Sequence, residues 1–268
     1  MSHPVISFQN VSKEFKLSQL PVRSLQDIFV HLWNKEMRRK RHFWALKNIS
    51  FSISAGETVA IIGTNGSGKS TILKLISRII DPTTGVIMVD GRLSALLELG
   101  AGFHPDLSGR ENIYLNGSIL GLSRKIMKQK LDSIIAFADI GDFIDVPIRN
   151  YSSGMQMRLG FSVAVHVEPQ IILFDEVLAV GDYNFQRKCL ERIKQLQAQG
   201  VTILFVSHDF KAVQDLCSRA LWLETGILRA DGPVADVLEQ MKARYQWDGQ
   251  DMMKRSDGKI TELQKMIV

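Results

Sequence analysis

The stretch TVAIIGTNGSGKST, residues 58–71, constrains the fold of this chain more than any other part of it. Its first five residues predict a buried strand, since four of them are apolar and three are β-branched aliphatics. The following residues fit the pattern G-x-x-x-x-G-K-[ST], in which glycines let the backbone wrap around phosphates. The N-terminus of the next helix then faces the same anion. Strand, loop and helix in this order predict a phosphate-binding site in an α/β fold.

Two side chains of this loop have chemistry of their own. We expect Lys69 to place its charge on the β- and γ-phosphates of a nucleotide, and Ser70 to offer its hydroxyl to Mg²⁺. The predicted nucleotide-binding residues are Gly63, Thr64, Asn65, Gly66, Ser67, Gly68, Lys69, Ser70 and Thr71.

A second strand ends in acids. The run IILFDE, residues 171–176, is four apolar residues followed by two carboxylates. Ligands bind at the carboxyl ends of strands in open α/β sheets. We therefore expect Asp175 to hold Mg²⁺, and Glu176 to orient or polarise the attacking water. His208 ends another apolar strand, VTILFVSH, and there it can reach a γ-phosphate.

The order of elements predicts an α/β protein with a parallel sheet, because apolar strands alternate with helical patterns along the 268 residues. Residues 92–167 are mostly helical and predict a lobe inserted into the sheet. We place the core in residues 1–91 and 168–245, and a tail in residues 246–268. No apolar run has the length of a membrane-spanning helix, and the N-terminus lacks the features of a signal peptide.

Most of the net charge of +5 lies in one segment. KEMRRKRH, residues 35–42, has five Lys or Arg and one Glu. It follows an amphipathic pattern, so residues 24–41 predict an inserted helix with a basic end. Such a cluster can meet the phosphates of lipids or nucleic acid, or it can be a solvated helix end.

Three further motifs, taken with the phosphate loop, resemble the nucleotide-binding subunits of ABC transporters. They are YSSGMQMR (151–158), FDEVLAVGD (174–182) and VSHD (206–209), and the resemblance covers residues 4–245. It implies a P-loop ABC ATPase fold with an inserted helical lobe and an N-terminal antiparallel β part. It also implies a head-to-tail dimer, in which the signature segment of one subunit closes on the ATP of the other.

The resemblance assigns roles residue by residue. It identifies Asp182 as the D-loop aspartate, His208 as the switch histidine, and Phe15 as the aromatic that stacks on adenine, with Trp44 as an alternative for that role. Arg158 occupies a basic position that follows the signature. The signature residues implied are Ser152, Ser153, Gly154 and Met155, with Ser153 and Met155 departing from the general Leu-Ser-Gly-Gly-Gln pattern.

One family feature is missing. The segment LSALLELGAGFHPDLSGREN, residues 93–112, contains no glutamine where the family has its Q-loop. Glu98 is the nearest polar substitute, whereas counting back from Pro105 points to Leu99. We predict that Glu98 takes the role.

The same segment, extended to LLELGAGFHPDLSGRENIYLNG, resembles bacterial exporters of O-antigen, capsule or teichoic acid. The resemblance implies ATP and Mg²⁺ as cofactors, two copies of an integral membrane permease as partners, and a lipid-linked polysaccharide as substrate. It places the chain on the cytoplasmic face of the membrane, with the 24–41 helix at the membrane interface. No sugar-binding domain is expected in residues 246–268.

Two other functions compete with export. One is a soluble ABC ATPase that acts on ribosomes or nucleic acid. Such proteins usually have two fused nucleotide domains or a long coiled coil, and this sequence has neither pattern. The other is a regulatory module with slow turnover, against which Lys69, Asp175 and Glu176 argue. We therefore expect no nucleic-acid partner.

Overall fold

The computed structural model of the chain describes residues 4–17, 41–96, 102–175, 182–207 and 209–245. Its strands are β1 (Pro4–Leu17), β2 (Arg41–Ser54), β3 (Thr58–Ile62), β4 (Thr84–Val89), β5 (Leu93–Leu96), β6 (Ile171–Asp175), β7 (Thr202–Val206), β8 (Arg219–Glu224) and β9 (Ile227–Pro233). Its helices are α1 (Lys69–Ile76), α2 (Gly109–Ile119), α3 (Arg124–Ala138), α4 (Ser153–His166), α5 (Tyr183–Ala198), α6 (Phe210–Leu216) and α7 (Val234–Tyr245), with 3₁₀ turns at Gly141–Asp145 and Ile148–Asn150.

The strands form two sheets, as the sequence predicts. The larger has the order β5-β6-β7-β3-β8-β9, parallel except for β9, which pairs with β8 as an antiparallel hairpin. The smaller is antiparallel with the order β2-β1-β4. Because β6, β7 and β3 are parallel neighbours, their carboxyl ends lie together at one edge.

Strand β3 lies between two apolar cores. Ala60 and Ile62 belong to the core formed with α4, α5, α6 and α7, whereas Val59 and Ile61 belong to the core between the two sheets and α1. All five β3 residues are buried, which explains why the strand reads as a continuous apolar run in the sequence. The phosphate loop therefore starts from a rigid support.

The helical lobe has a third core, formed by α2, α3, α4 and the two 3₁₀ turns. Helix α4 connects this core to the larger sheet: Leu159 and Val163 pack in the lobe, and Phe161 and Val165 pack against the sheet. A rotation of α4 would therefore disturb both cores.

The predicted start of the lobe at residue 92 is wrong. Residues Leu93–Leu96 form β5, which pairs in parallel with β6 at the edge of the larger sheet. Four residues with a single polar member carry too little pattern to separate a short strand from a helix. The core accordingly extends through Leu96 before the chain enters the lobe.

Other differences concern the ends of elements. The pattern VISF predicts a strand over residues 5–8 only, but β1 runs to Leu17, since its pairing with β2 continues that far and holds the polar second half extended, whereas its pairing with β4 ends at Ser12. The sequence pattern after the phosphate loop predicts a helix over residues 69–79, but α1 ends at Ile76, and Arg78 just beyond it has the left-handed φ of 55°. The predicted helix 24–41, apart from Arg41 in β2, and the tail 246–268 lie outside the described residues.

Within the described ranges, no helix is both long enough and apolar enough to span a membrane.

Candidate nucleotide-binding site

The phosphate loop (residues 63–71) leaves β3 and enters α1 through glycines that no other residue could replace without strain. Gly63 has a φ of 150°, and a Cβ there would overlap the carbonyl oxygen of Leu223. Gly68 is the N-cap of α1 with a φ of 107°, and a Cβ there would lie 2.8 Å from the Ala45 carbonyl oxygen. The loop is thus pressed against its neighbours with no space for side chains at these points.

Backbone hydrogen bonds hold the loop from below. The Gly226 amide donates to Ser67 O at 2.9 Å, and the Lys47 amide donates to Gly226 O at 2.8 Å. The β8–β9 turn at Thr225 and Gly226 therefore links the phosphate loop to β2. Leu46 on β2 adds an apolar contact, because its Cδ2 lies 2.7 Å from the position of a Cβ on Gly68.

Two polar side chains of the loop, those of Ser67 and Lys69, are buried. Lys69 is buried, and its Nζ donates to Gly63 O at 2.9 Å and to Thr64 O at 3.1 Å. The Ser67 hydroxyl is also buried and has no hydrogen-bond partner among the described residues. A buried polar group without a partner costs free energy. A phosphate oxygen beside the loop would give this hydroxyl an acceptor, so the loop fits the group that its sequence predicts.

The predicted metal ligands lie on adjoining elements. Ser70 is exposed in the first turn of α1, and Asp175 ends β6, against which α1 packs. A hydroxyl and a carboxylate are oxygen donors of the kind Mg²⁺ prefers, alongside phosphate oxygens. The donor chemistry therefore fits Mg²⁺ held between a nucleotide and these two residues.

Glu176, His208 and Glu98 lie outside the described residues, as does Leu99. Residues next to Glu176 and His208 are described: Asp175 precedes Glu176, and Ser207 and Asp209 flank His208. The Asp209 amide donates to Ser207 Oγ at 3.0 Å, and Asp209 caps α6 by accepting from the amides of Lys211 and Ala212. Since β6 and β7 pair through Asp175 and Val206, the predicted acid and histidine follow neighbouring strand ends.

The predicted signature residues form the start of helix α4. Ser152 is the N-cap, and its Oγ accepts from the Met155 amide at 3.2 Å. Ser152 and Ser153 are exposed, and a Cβ on Gly154 would meet only Ser152 Oγ, at 3.9 Å. Residues 152–154 therefore present a helix N-terminus to the surface, where its amides can meet an anion.

Arg158 connects this helix to the predicted D-loop. Its Nη1 donates to Asp182 Oδ2 at 3.1 Å, its Nη2 to Asp139 Oδ2 at 2.8 Å, and its Nε to Ala138 O at 2.9 Å. The guanidinium carbon lies 4.7 Å from the centre of the Phe185 ring. One arginine, with 17% of its side chain exposed, thus ties together α3, α4 and α5.

Asp182 is the N-cap of α5. Its Oδ1 accepts from the Phe185 amide at 3.0 Å, and this hydrogen bond, supported by the charge of Arg158, lowers the pKa of the carboxyl. Asp182 is therefore fixed by its own chain on both oxygens. The sequence identified Asp182 and Arg158 as separate candidate residues. No sequence pattern indicated that they form an ion pair or that Asp139 takes part in it.

The aromatic candidates for the adenine lie on the β1–β2 hairpin. Phe15 is partly buried and pairs with Phe43, whereas Trp44 pairs with Glu14. Glu14 and Trp44 occupy the other face of the hairpin, so Phe15 and the alternative Trp44 do not lie on one surface. Phe43, which the sequence did not single out, shares the face of Phe15.

A glycine-rich phosphate loop on a parallel sheet, with strand-end acids beside it, defines a P-loop nucleotide-binding protein. The chain belongs to the ABC transporter family, whose family description matches residues 46–179. It is an ABC ATPase, as the sequence predicts.

The chain is similar to named relatives over most of its length. It is 47% identical to the O-antigen export system ATP-binding protein RfbB of Klebsiella pneumoniae over 90% of this chain and 98% of the relative. It is 42% identical to the teichoic acids export ATP-binding protein TagH of Listeria monocytogenes serotype 4b (strain F2365), over 90% of this chain and 71% of the relative.

Solved structures support the fold. The dimeric post-hydrolysis structure of the ATP-binding cassette MJ0796, bound to ADP and Pi, superposes with a TM-score of 0.68 at 22% identity, covering 85% of this chain and 98% of that chain. An ATP-binding subunit of an ABC transporter gives a TM-score of 0.71 at 21% identity, covering 90% of this chain and 94% of that chain.

Proposed function

We propose that this chain binds and hydrolyses ATP to power an exporter of a lipid-linked cell-surface polysaccharide, such as O-antigen, capsule or teichoic acid. The observation that supports it most is the convergence of the phosphate loop, Asp175 and the end of β7 at one edge of the sheet. The printed names of the relatives, O-antigen and teichoic acid export ATP-binding proteins, support the substrate class.

In this proposal the phosphates lie on residues 63–71, with Lys69 turning its charge from the loop carbonyls to the β- and γ-phosphates. Ser70 and Asp175 would hold Mg²⁺, which would neutralise phosphate charge when bound. Glu176 orients the attacking water, and His208 contacts the γ-phosphate. Each of these roles positions or stabilises charge, which is the main task of a protein in phosphoryl transfer.

We further propose a head-to-tail homodimer. Residues 152–155 begin a helix whose capped N-terminus is exposed, so they are accessible to the nucleotide of a second subunit. The dimeric MJ0796 neighbour shares the fold, which is compatible with this arrangement. Asp182, attached to α4 through Arg158, would then sit near the closed interface.

The permease and membrane assignments follow from the relatives and the charge pattern. We propose two permease copies as partners on the cytoplasmic face of the cell membrane, with the helical lobe and the predicted 24–41 helix closest to them. Five of the Lys and Arg residues of the chain lie at 35–42, and such clusters favour anionic lipid head groups. Reversing the charges of Arg38 to Arg41 should impair export more than basal ATP hydrolysis.

The test of the ATPase assignment is Glu176→Gln. We expect this variant to accumulate as an ATP-bound dimer in size-exclusion chromatography with little phosphate release, because water activation is lost while binding remains. Glu191→Gln, on the exposed surface of α5, is the matched control and should behave as wild type. Wild-type hydrolysis by Glu176→Gln would refute the role of Glu176.

The test of the signature assignment adds Gly154→Asp to that variant. An aspartate fits, since a Cβ at residue 154 meets only one atom, at 3.9 Å. Its charge would repel a γ-phosphate from the partner subunit, so the trapped dimer should disappear while each monomer still binds ATP. Gly154→Ser is the uncharged control. A dimer that survives Gly154→Asp would contradict the proposed interface.

Export is tested in the host by depletion of the protein. We expect a lipid-linked glycan to accumulate on the cytoplasmic side of the membrane. Co-purification with ribosomes or nucleic acid, without an integral membrane partner and without glycan accumulation, would instead support the soluble alternative.

A further inference from the structure

An irregularity in the β1–β2 hairpin determines which aromatic side chains share a face. Lys13 pairs with Leu46, but the next residue, Glu14, pairs with Trp44, so Ala45 is an extra residue on β2. Such a bulge shifts the alternation of side chains on its own strand alone. In a regular strand, Trp44 and Leu46 would lie on the same face because they are two residues apart. The bulge at Ala45 places them on opposite faces.

Side-chain contacts support this assignment of faces. Lys13 Nζ lies 5.2 Å from the centre of the Phe15 ring, so Lys13 and Phe15 are on one face. Glu14 Oε1 lies 2.9 Å from His42 Nδ1, which places both on the other face with Trp44, the cross-strand partner of Glu14. Phe43 pairs directly with Phe15 and consequently lies on the face of Lys13 and Leu46.

This aromatic face continues from the phosphate loop. Leu46 is fully buried, and its Cδ2 lies 2.7 Å from the position of a Cβ on Gly68, the N-cap of α1. From Lys13 to Phe15, the cross-strand partners of Leu46 and Phe43, the ladder advances about 7 Å. A nucleotide with its phosphates on the loop can span that distance with its ribose, which brings its base to the level of Phe43 and Phe15.

We infer that Phe43 is a second base-contacting residue, which forms with Phe15 an aromatic platform for the purine of the bound nucleotide. The inference rests on the proposed ATP binding and adds a base-contacting residue to it. Directly opposite side chains on paired strands have Cβ atoms about 5 Å apart, so Phe43 lies beside Phe15 on this face. Phe43 is 50% exposed, which leaves its ring available for stacking.

The neighbouring residue provides a matched control. Trp44 is 38% exposed and adjacent in sequence, but it faces the other way. We compare Phe43→Ala and Trp44→Ala in the full chain by calorimetric titration with ATP, and by competition with inorganic tripolyphosphate, which has no base. Phe43→Tyr tests whether an aromatic ring alone restores binding.

We expect Phe43→Ala to weaken ATP binding about fivefold or more, which is the lower range for loss of base stacking on an aromatic side chain. Its affinity for tripolyphosphate should remain that of wild type, and Phe43→Tyr should bind ATP as wild type does. Trp44→Ala should change neither affinity. Unchanged ATP binding by Phe43→Ala, an equal loss for tripolyphosphate, or the same loss in Trp44→Ala would overturn the inference.

Lys69→Ala separates this inference from the proposed function. If Lys69→Ala binds ATP and tripolyphosphate as wild type does, the assignment of the phosphate loop is wrong. If Lys69→Ala loses both ligands while Phe43→Ala retains ATP, the loop assignment stands and only the aromatic platform fails.

Discussion

The phosphate loop (63–71) and the signature segment (151–158) are both entrances to a helix, but they are held in different ways. Backbone atoms hold the loop: Gly226 donates to Ser67 O, and Gly63 lies against the Leu223 carbonyl. Side chains hold the signature segment: Ser152 caps helix α4, and the Arg158 guanidinium donates to Asp182. The loop accepts no added atoms at its buried glycines, whereas the signature helix has open space at its start.

This difference shows how much of each site one chain builds. The loop has its shape, its buried Lys69 and its buried Ser67 hydroxyl in the single subunit. The signature helix is only oriented by its own chain, since Arg158 fixes α4 against the ends of α3 and α5. A glycine substitution should therefore disrupt the phosphate loop, which backbone contacts hold. Substitution of Arg158 should disrupt the signature segment, which side chains hold.

The largest effect should come from Gly63→Ala. The new methyl would overlap the Leu223 carbonyl, so β8 or the loop must move, at a cost of about 3 kcal/mol or more, with loss of ATP binding. Gly66→Ala is the control: its φ of 74° is also left-handed, but nothing lies within 4 Å of the added Cβ. We expect it to cost about 1 kcal/mol in urea unfolding. Equal effects of both substitutions would show that the backbone packing is unimportant.

Arg158→Ala should have the next effect. It removes three charged hydrogen bonds and the contact with Phe185, and we expect a loss of about 2–3 kcal/mol in the free energy of unfolding. ATP affinity should stay near wild type, because the phosphate loop does not depend on this residue, while ATP turnover falls.

Two controls sharpen that prediction. Arg158→Lys keeps the charge but lacks the planar guanidinium that donates to three acceptors at once. We therefore expect it to recover only part of the stability. Arg187→Ala removes an arginine that is 68% exposed and should change stability by less than about 0.5 kcal/mol. Loss of ATP binding in Arg158→Ala would show that the phosphate loop depends on the contacts of the signature segment.

Ser152→Ala should have a smaller effect. Loss of the N-cap acceptor for the Met155 amide should cost about 1 kcal/mol. Ser152→Asp restores an acceptor, so thermal unfolding should return toward wild type. We expect ATP turnover by Ser152→Asp to be low, because its negative charge lies where the proposed γ-phosphate approaches. Full turnover in Ser152→Asp would mean that Ser152 only caps the helix.

The smallest effect concerns the charge of Asp182. Its folded pKa is lowered, so the ionised form stabilises the fold above the unfolded pKa of about 3.9, and this stability is lost as the pH falls through the folded pKa. Asp182→Asn keeps a cap acceptor for the Phe185 amide and removes the charge. Wild type should have the higher melting temperature at pH 7. The two curves should converge once the pH is below the folded pKa; a constant difference across pH would exclude the charge as its cause.

Sequence patterns predicted the central sheet and the phosphate loop because both depend on local spacing. A continuous apolar run predicted each of the strands β3, β6 and β7. Strand β5 was missed because four residues hold no periodicity that separates strand from helix. The polar half of β1 was missed because its pairing with β2 decides its conformation.

Sequence alone predicted which ligand groups each motif could bind, because the glycine spacing, Lys69 and the strand-end Asp175 are chemical features that need no coordinates. Tertiary structure decided which of these residues meet. Arg158 and Asp182 are 24 residues apart and form an ion pair only because α4 and α5 pack side by side. The bulge at Ala45 turned Phe43 rather than Trp44 toward the loop face. Pairing register and helix packing depend on contacts between distant segments, and no local pattern encodes them.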